Sequence, residues 1–230
     1  MQDLDTPADD IAKVREHVEA TIGSDPEHWA MWPGGWPGDI ETALIDAVFS
    51  ARAIYLSKHG RGISRTVADW QAARTRSASS LYALLCEIDA VGVPAWASTF
   101  GNLQRSPRRG TEAPNGPSKA AAVREAASKL REAGINIADD IDISTVVTAK
   151  GALRSVSGIG YATVSYFLML LGVPGIKPDR MIHRFLKDAT DHAFTNGNAE
   201  QVLRAVAAHF GVQDHELDHA IWRYESERAR

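Results

Sequence analysis

Leu153-Arg154-Ser155-Val156-Ser157-Gly158-Ile159-Gly160-Tyr161-Ala162-Thr163 is the stretch on which the reading of this chain turns. It joins two amphipathic runs, residues 143–156 and 161–171. Two glycines around one apolar residue make a tight hairpin, because Gly158 and Gly160 reach backbone angles closed to other residues. Ile159 then plugs down between the flanking helices. The amides that open the second helix lack intrahelical acceptors and face outward, where they suit a phosphate. Binding of that kind needs no charged side chain and reads no base sequence. Taken alone, a G-x-G also reads as a plain helix–helix turn with no ligand.

Working outward, the pattern is helical nearly throughout. Ile11, Val14, Val18 and Ile22 recur at helical spacing. A Trp/Gly/Pro loop over residues 32–38 precedes Asp39, a natural N-cap. Ile40, Leu44, Ala47, Val48, Ile54 and Tyr55 predict one continuous helix. Helices are also expected over residues 67–70, 81–88, 119–132 (capped by Ser118, ended by Gly134), 179–186, 199–210 and 214–227. Residues 102–118, rich in Arg, Pro and Gly, read as a loop. No stretch alternates as a half-buried strand would, and no segment repeats. The expected fold class is all-α, about ten helices with short connections.

Composition limits function. The chain has 230 residues, a net charge of −4 and one cysteine. A single cysteine excludes an internal disulfide framework and a self-contained iron–sulfur or Cys-rich zinc site. The start of the chain is acidic, with Asp3, Asp5, Asp9 and Asp10, unlike a secretory signal. The most apolar run, residues 161–176, is too short and too broken by Gly172, Pro174 and Gly175 to span a bilayer, which needs roughly 20 apolar residues. The chain reads as soluble and cytoplasmic, with no membrane partner. Charge is uneven. Residues 52–76 carry six basic residues against one acidic, residues 102–131 seven against two, and residues 177–187 four against one. The ends are acidic, so the expectation is one basic face on an acidic body, where nucleic acid would lie.

The hairpin segment resembles the helix-hairpin-helix DNA glycosylase superfamily, the base-excision repair enzymes that include endonuclease III and the adenine glycosylases. The family pattern L-x-x-L-P-G-V-G-x-K-T-A is matched at Leu153, Val156, Gly158, Ile159, Gly160 and Thr163. The family's following V-D-x-H-x-x-R is matched at Asp179, sixteen residues after Thr163, and at Arg184. Val48-Phe49-Ser50-Ala51-Arg52-Ala53 is similar to the family's L-L-S-A-Q-A, with Arg52 in the place of a Gln wedge. Ser118-Lys119-Ala120 falls where the family carries an Asn-Lys-Ala helix start. The resemblance spans residues 39–186 in order.

It implies a two-lobed glycosylase-like fold. Residues 39–172 would form a helical barrel holding the helix-hairpin-helix at 153–169, and residues 1–38 plus 173–230 a second helical lobe, with Asp179 at the cleft. It implies duplex DNA as partner, bound through Gly158, Ile159, Gly160, Tyr161, Thr163, Lys119 and Arg184, with the chain acting as a nucleoid-associated monomer. It implies Asp179 as the catalytic carboxylate, aiding attack on, or stabilising cationic character at, the sugar carbon as a flipped base leaves. Asp179 also reads as a helix N-cap, and the two roles are compatible. A monovalent cation on the hairpin carbonyls at Val156 and Ile159 is implied too, while the side chains suggest no metal site and no other cofactor.

The departures carry meaning. The family's lyase lysine is Ala162 here, so the resemblance implies a monofunctional hydrolase. Lys177 could replace that amine chemically; it reads otherwise as a phosphate contact or surface lysine. The family's His is Met181, its hairpin Pro is Ser157, and the four cluster cysteines of many relatives are missing, so no iron–sulfur cluster is expected. The adenine-glycosylase acid is Ala47, with Asp46 adjacent, which leaves the target base open. Cys86 reads as core, as does Trp222; Trp29, Trp32 and Trp36 read as pins for their loop. A non-catalytic DNA-binding module is the main alternative. A remote one is a zinc hydrolase through His215-Glu216-x-x-His219, which lacks a third ligand downstream.

Overall fold

The computed structural model describes residues 7–53, 55, 62–106 and 116–228. Among them are eleven α-helices: α1 (Pro7–Thr21), α2 (Ile40–Ser50), α3 (Ile63–Ala73), α4 (Leu81–Val91), α5 (Val93–Thr99), α6 (Lys119–Glu132), α7 (Val146–Ser155), α8 (Tyr161–Leu170), α9 (Arg180–Thr190), α10 (Asn196–Phe210) and α11 (Asp214–Arg228). The only extended pairing among these residues is an isolated bridge between Arg105 and Ser118. No single described helix is long and apolar enough to cross a membrane.

The helix starts follow cap chemistry. Asp39, Ser80, Ser118, Asp179 and Thr195 each accept a backbone amide from the first turn of α2, α4, α6, α9 and α10 respectively. Each cap supplies an acceptor to an amide the helix itself leaves unpaired. Helix α3 runs further than the expected 67–70, and two larger departures follow. Helix α2 stops at Ser50 instead of running through Tyr55; Arg52 then takes a left-handed φ of 53°. Ile54 lies outside the described residues. Helix α5 is not legible as periodicity, because Gly92 (φ 83°) and Pro94 cut it from α4 and leave only seven residues.

The chain divides into two compact units. The central unit is Gly35–Gly172 and the terminal unit is Met1–Gly34 with Val173–Arg230. The first boundary thus falls four residues earlier than the expected 38/39. Trp36 explains this: its backbone N–H donates to the Leu170 carbonyl at 2.5 Å and its indole to Asp46 at 2.9 Å, both in the central unit.

The central unit buries α2 almost all round, and α8 lies against it with Phe167, Leu168, Met169 and Leu170 buried. Trp70 meets Trp96 edge-on, and Trp96 meets Phe100. The terminal unit has its own core. Val14 and Val18 of α1 pack with Ile182, Phe185 and Leu186 of α9, Val202 and Val206 of α10, and Leu217 and Ile221 of α11. Burial on this scale is the main stabilising term, at about 25 cal/mol per Å² of apolar surface removed from water.

Candidate functional site

The hairpin is built as its glycines suggest, but only one of them is conformationally necessary. Gly158 has φ +89°, and a Cβ there would stand 2.5 Å from the Ser106 Cβ. Gly160 has φ −99° and ψ 179°, extended backbone open to any residue, and a Cβ there would meet nothing within 4 Å. The expectation of special angles at Gly160 is therefore corrected; what its missing side chain leaves is open space in front of α8. Ile159 is buried, and its amide donates to the Val156 carbonyl at 3.3 Å. Gly160 is the N-cap of α8 and no side chain caps that helix. Tyr161 and Thr163 lie half-buried in its first turn, and Arg154 from α7 stacks over the Tyr161 ring at 5.6 Å.

Asp179 is a helix cap, as its position before α9 suggests. Its Oδ1 accepts the amides of Met181 at 2.8 Å and Ile182 at 3.3 Å, which fixes the carboxylate. The ammonium of Lys177 lies 3.7 Å from its Oδ2. Behind them is a group that sequence reading missed. Asp218 of α11 is buried, and its Oδ1 accepts the backbone amide of Lys177 at 2.8 Å. Burial pushes the Asp218 carboxyl up to about 7, helped by the negative charge of Asp179 and opposed by the Lys177 amide and charge. Two carboxylates and one ammonium thus share a small region of the terminal unit. The only sequence hint was a charged residue interrupting the buried stripe of α11.

Two expected DNA contacts are placed elsewhere. Lys119 is 2% exposed. Its ammonium donates to the carbonyls of Phe49 (2.7 Å) and Ala51 (2.8 Å) and to Gln104 Oε1 (2.7 Å). It closes the carboxyl end of α2, just before exposed Arg52, and cannot reach a phosphate; burial pulls its amine down to about 8. Arg184 is held by buried Glu225, through an ion pair to its carboxylate and a 3.0 Å bond to its carbonyl. Arg52 itself is exposed and left-handed, a backbone state uncommon outside glycine.

A family model described as "Domain of unknown function (DUF8548)" matches residues 12–226. The chain belongs to this family. No curated protein matches the DUF8548 chain. Among solved structures, it is similar to the "Structure of MBOgg1 in complex with low affinity DNA ligand". The identity is 12% and the TM-score 0.51, over 84% of this chain and 61% of that one. The DUF8548 chain thus spans about three fifths of that chain's length. At this identity the likeness speaks for a shared all-α, glycosylase-like fold.

Many cations in the basic stretches of the DUF8548 protein are already paired with acids. Arg74 makes two bonds to Asp39 (2.8 and 2.7 Å), and Arg76 bridges Glu41 and Glu87. Burial pushes the Asp39 carboxyl up, but Arg74, Ser79 and Thr42 bring it down to about 2. Arg65 pairs with Asp69, Arg124 with Asp89 and Lys129 with Glu132. Lys58, Arg61, Arg108 and Arg109 lie outside the described residues. The formal excess over residues 52–76 and 102–131 therefore overstates the free positive surface. In the central unit, Arg52, Arg105 and Lys150 are exposed and hold no ion pair among the described residues, and Arg131 and Arg154 hold ring contacts, to Tyr82 and Tyr161.

The remaining sequence features of the DUF8548 chain are structural. Glu216 of the H-E-x-x-H segment accepts the Gln213 amide at 2.7 Å, and the Trp32 ring lies against both His215 (6.0 Å) and His219 (5.5 Å). No three His, Cys, Asp or Glu side chains converge as a metal site among the described residues. Trp222 is half-buried and stacks on His219 instead of filling the core. Cys86 is exposed, because the buried stripe of α4 is Leu81, Leu84 and Ile88 and Cys86 faces away from it. Trp29 and Trp36 do pin the loop, through the Gly23 carbonyl and Asp46. Asp46 is buried and also accepts from Tyr55 (2.9 Å) and Ser50 (2.9 Å).

Proposed function

We propose that this protein binds duplex DNA through the α7–α8 hairpin and hydrolyses the N-glycosidic bond of a flipped base, with Asp179 as the essential carboxylate. The observation that carries this reading is the capped carboxylate. Two helix amides hold Asp179 in one orientation, beside Lys177 and next to the buried acid Asp218. The glycosylase-like fold and the DNA ligand of the MBOgg1 structure support it.

The hairpin amides would receive a backbone phosphate, with Arg154 and Lys150 adding charge. Arg52, projecting from the turn that Lys119 closes, would fill the gap left by the flipped base. As the bond from the sugar carbon to the base breaks, the base leaves with the electron pair and takes up a proton. Positive character grows on the sugar, and the fixed charge of Asp179 stabilises it while a water adds to the same carbon. Lys177 lies against the Asp179 carboxylate at 3.7 Å, and with Ala162 at the usual lyase position the reaction ends at the abasic site. A monovalent cation would sit on the carbonyls of Val156 and Ile159, adding positive charge to the phosphate seat.

The test is a panel of duplexes carrying damaged or modified bases, incubated with the protein and then cleaved with hot alkali. Strand breaks after alkali, with no adduct trapped by borohydride, are the expected result. Salt-dependent duplex binding with no release across the panel favours the non-catalytic module instead.

A further inference from the structure

Helix α9 carries a basic face that begins one residue after Asp179. Arg180, His183, Arg184 and Lys187 recur at helical spacing opposite the buried stripe of Ile182, Phe185 and Leu186. The segment Ala193 to Asn196 faces them and closes a groove of about 560 Å³. His183 is oriented across it by a 2.8 Å contact between its Nε2 and Asn196 Oδ1.

Most other cations among the described residues of this unit are neutralised locally. Arg15, Lys177, Arg204, Arg223 and Arg228 each hold an ion pair, as does Arg184 within the groove. Arg180 and Lys187 are exposed and hold none among the described residues. Of the acids around them, Glu225 is taken by Arg184 and Arg228, and Asp188 by Arg228, while Asp179 and Asp191 stand at the two ends of the helix. Seven residues of α-helix separate the two side chains' origins by about 10 Å. That leaves two unneutralised charges along one open trough, too far apart to close on one compact anion and within side-chain reach of neighbouring phosphates of a strand.

We infer that the α9 groove is a second DNA contact, in which Arg180 and Lys187 bind consecutive phosphodiesters of the strand whose sugar is presented to Asp179. This inference rests on the DNA-binding reading above and adds which surface of the terminal unit holds the strand.

The experiment measures duplex affinity by fluorescence anisotropy over a salt series, using a labelled duplex with the wild type, Arg180→Gln/Lys187→Gln, and the control Arg65→Gln/Lys129→Gln. The control removes the same net charge from surface pairs elsewhere. The groove variant is expected to bind at least tenfold more weakly at low salt. Its slope of log affinity against log salt should be shallower by about 1.8, at about 0.9 for each phosphate that is no longer neutralised. The control should follow the wild type, and melting temperatures should agree across all three. A groove variant that binds like the control overturns the inference while leaving the DNA reading standing. A wild type that does not bind duplex overturns both.

Discussion

The carboxylate of Asp218 accepts the backbone amide of Lys177 at 2.8 Å, across 41 residues of sequence. This bond ties α11 to the turn that enters α9 and sets an acid with a raised pKa beside Asp179. Its stability consequence has a definite sign. The folded carboxyl holds its proton up to about pH 7, whereas the unfolded one loses it near the ordinary carboxylate value of 3.8. The folded state therefore binds the extra proton between those values, and this contribution to stability is present at low pH and lost as pH rises through 7. Asp218→Asn keeps an acceptor for Lys177 and cannot ionise. Its melting temperature relative to wild type should rise between pH 4 and pH 7 and level off above. A difference independent of pH would contradict the assignment.

Lys119 makes the opposite case. Its folded amine titrates near 8, below the free value of 10.5. Between those values the unfolded chain holds the extra proton, so stability should rise with pH across that window, and Lys119→Met should lack the rise. The same variant leaves the carbonyls of Phe49 and Ala51 without their shared donor. Loss of roughly 2–4 kcal/mol is expected, as for other buried polar groups left without a partner. Urea unfolding at pH 7.5 and pH 10 reads both effects.

The two hairpin glycines should separate stability from binding. Gly158→Ala forces a side chain into φ +89° and against Ser106, and should cost about 2 kcal/mol or more. Gly160→Ala meets no neighbour and keeps an ordinary backbone, so its unfolding midpoint should be close to wild type. Its added methyl stands in front of the α8 amides, so its duplex affinity should fall. Gly160→Ala with unchanged affinity would remove the hairpin from the DNA interface.

What the sequence reveals here is mostly local. The caps Asp39, Ser118 and Asp179, the left-handed Gly158 and the buried Ile159 follow from short-range rules, since a cap and its amides lie within three residues. Pairings across the fold have no such periodicity. Arg74 meets Asp39 from 35 residues away, and Lys119 meets the Phe49 carbonyl from 70. Both arginine and lysine look the same in sequence whether they face solvent or close a helix end, so a count of charge along the chain takes internal ion pairs for a surface. Asp218 is hidden for the same reason. Cys86 shows the converse: an apolar helix is not buried on every face, and only the stripe at 81, 84 and 88 faces inward.

The measurement that bears most directly on the account is base release by wild type and Asp179→Asn on the same damaged duplexes, with duplex affinity measured on the same samples. Asn ranks with Asp as an N-cap, so α9 should keep its start and the variant its fold. The account predicts release by wild type, release reduced at least a hundredfold in Asp179→Asn, and affinity within a few fold. Release that persists in Asp179→Asn at the wild-type rate would contradict it.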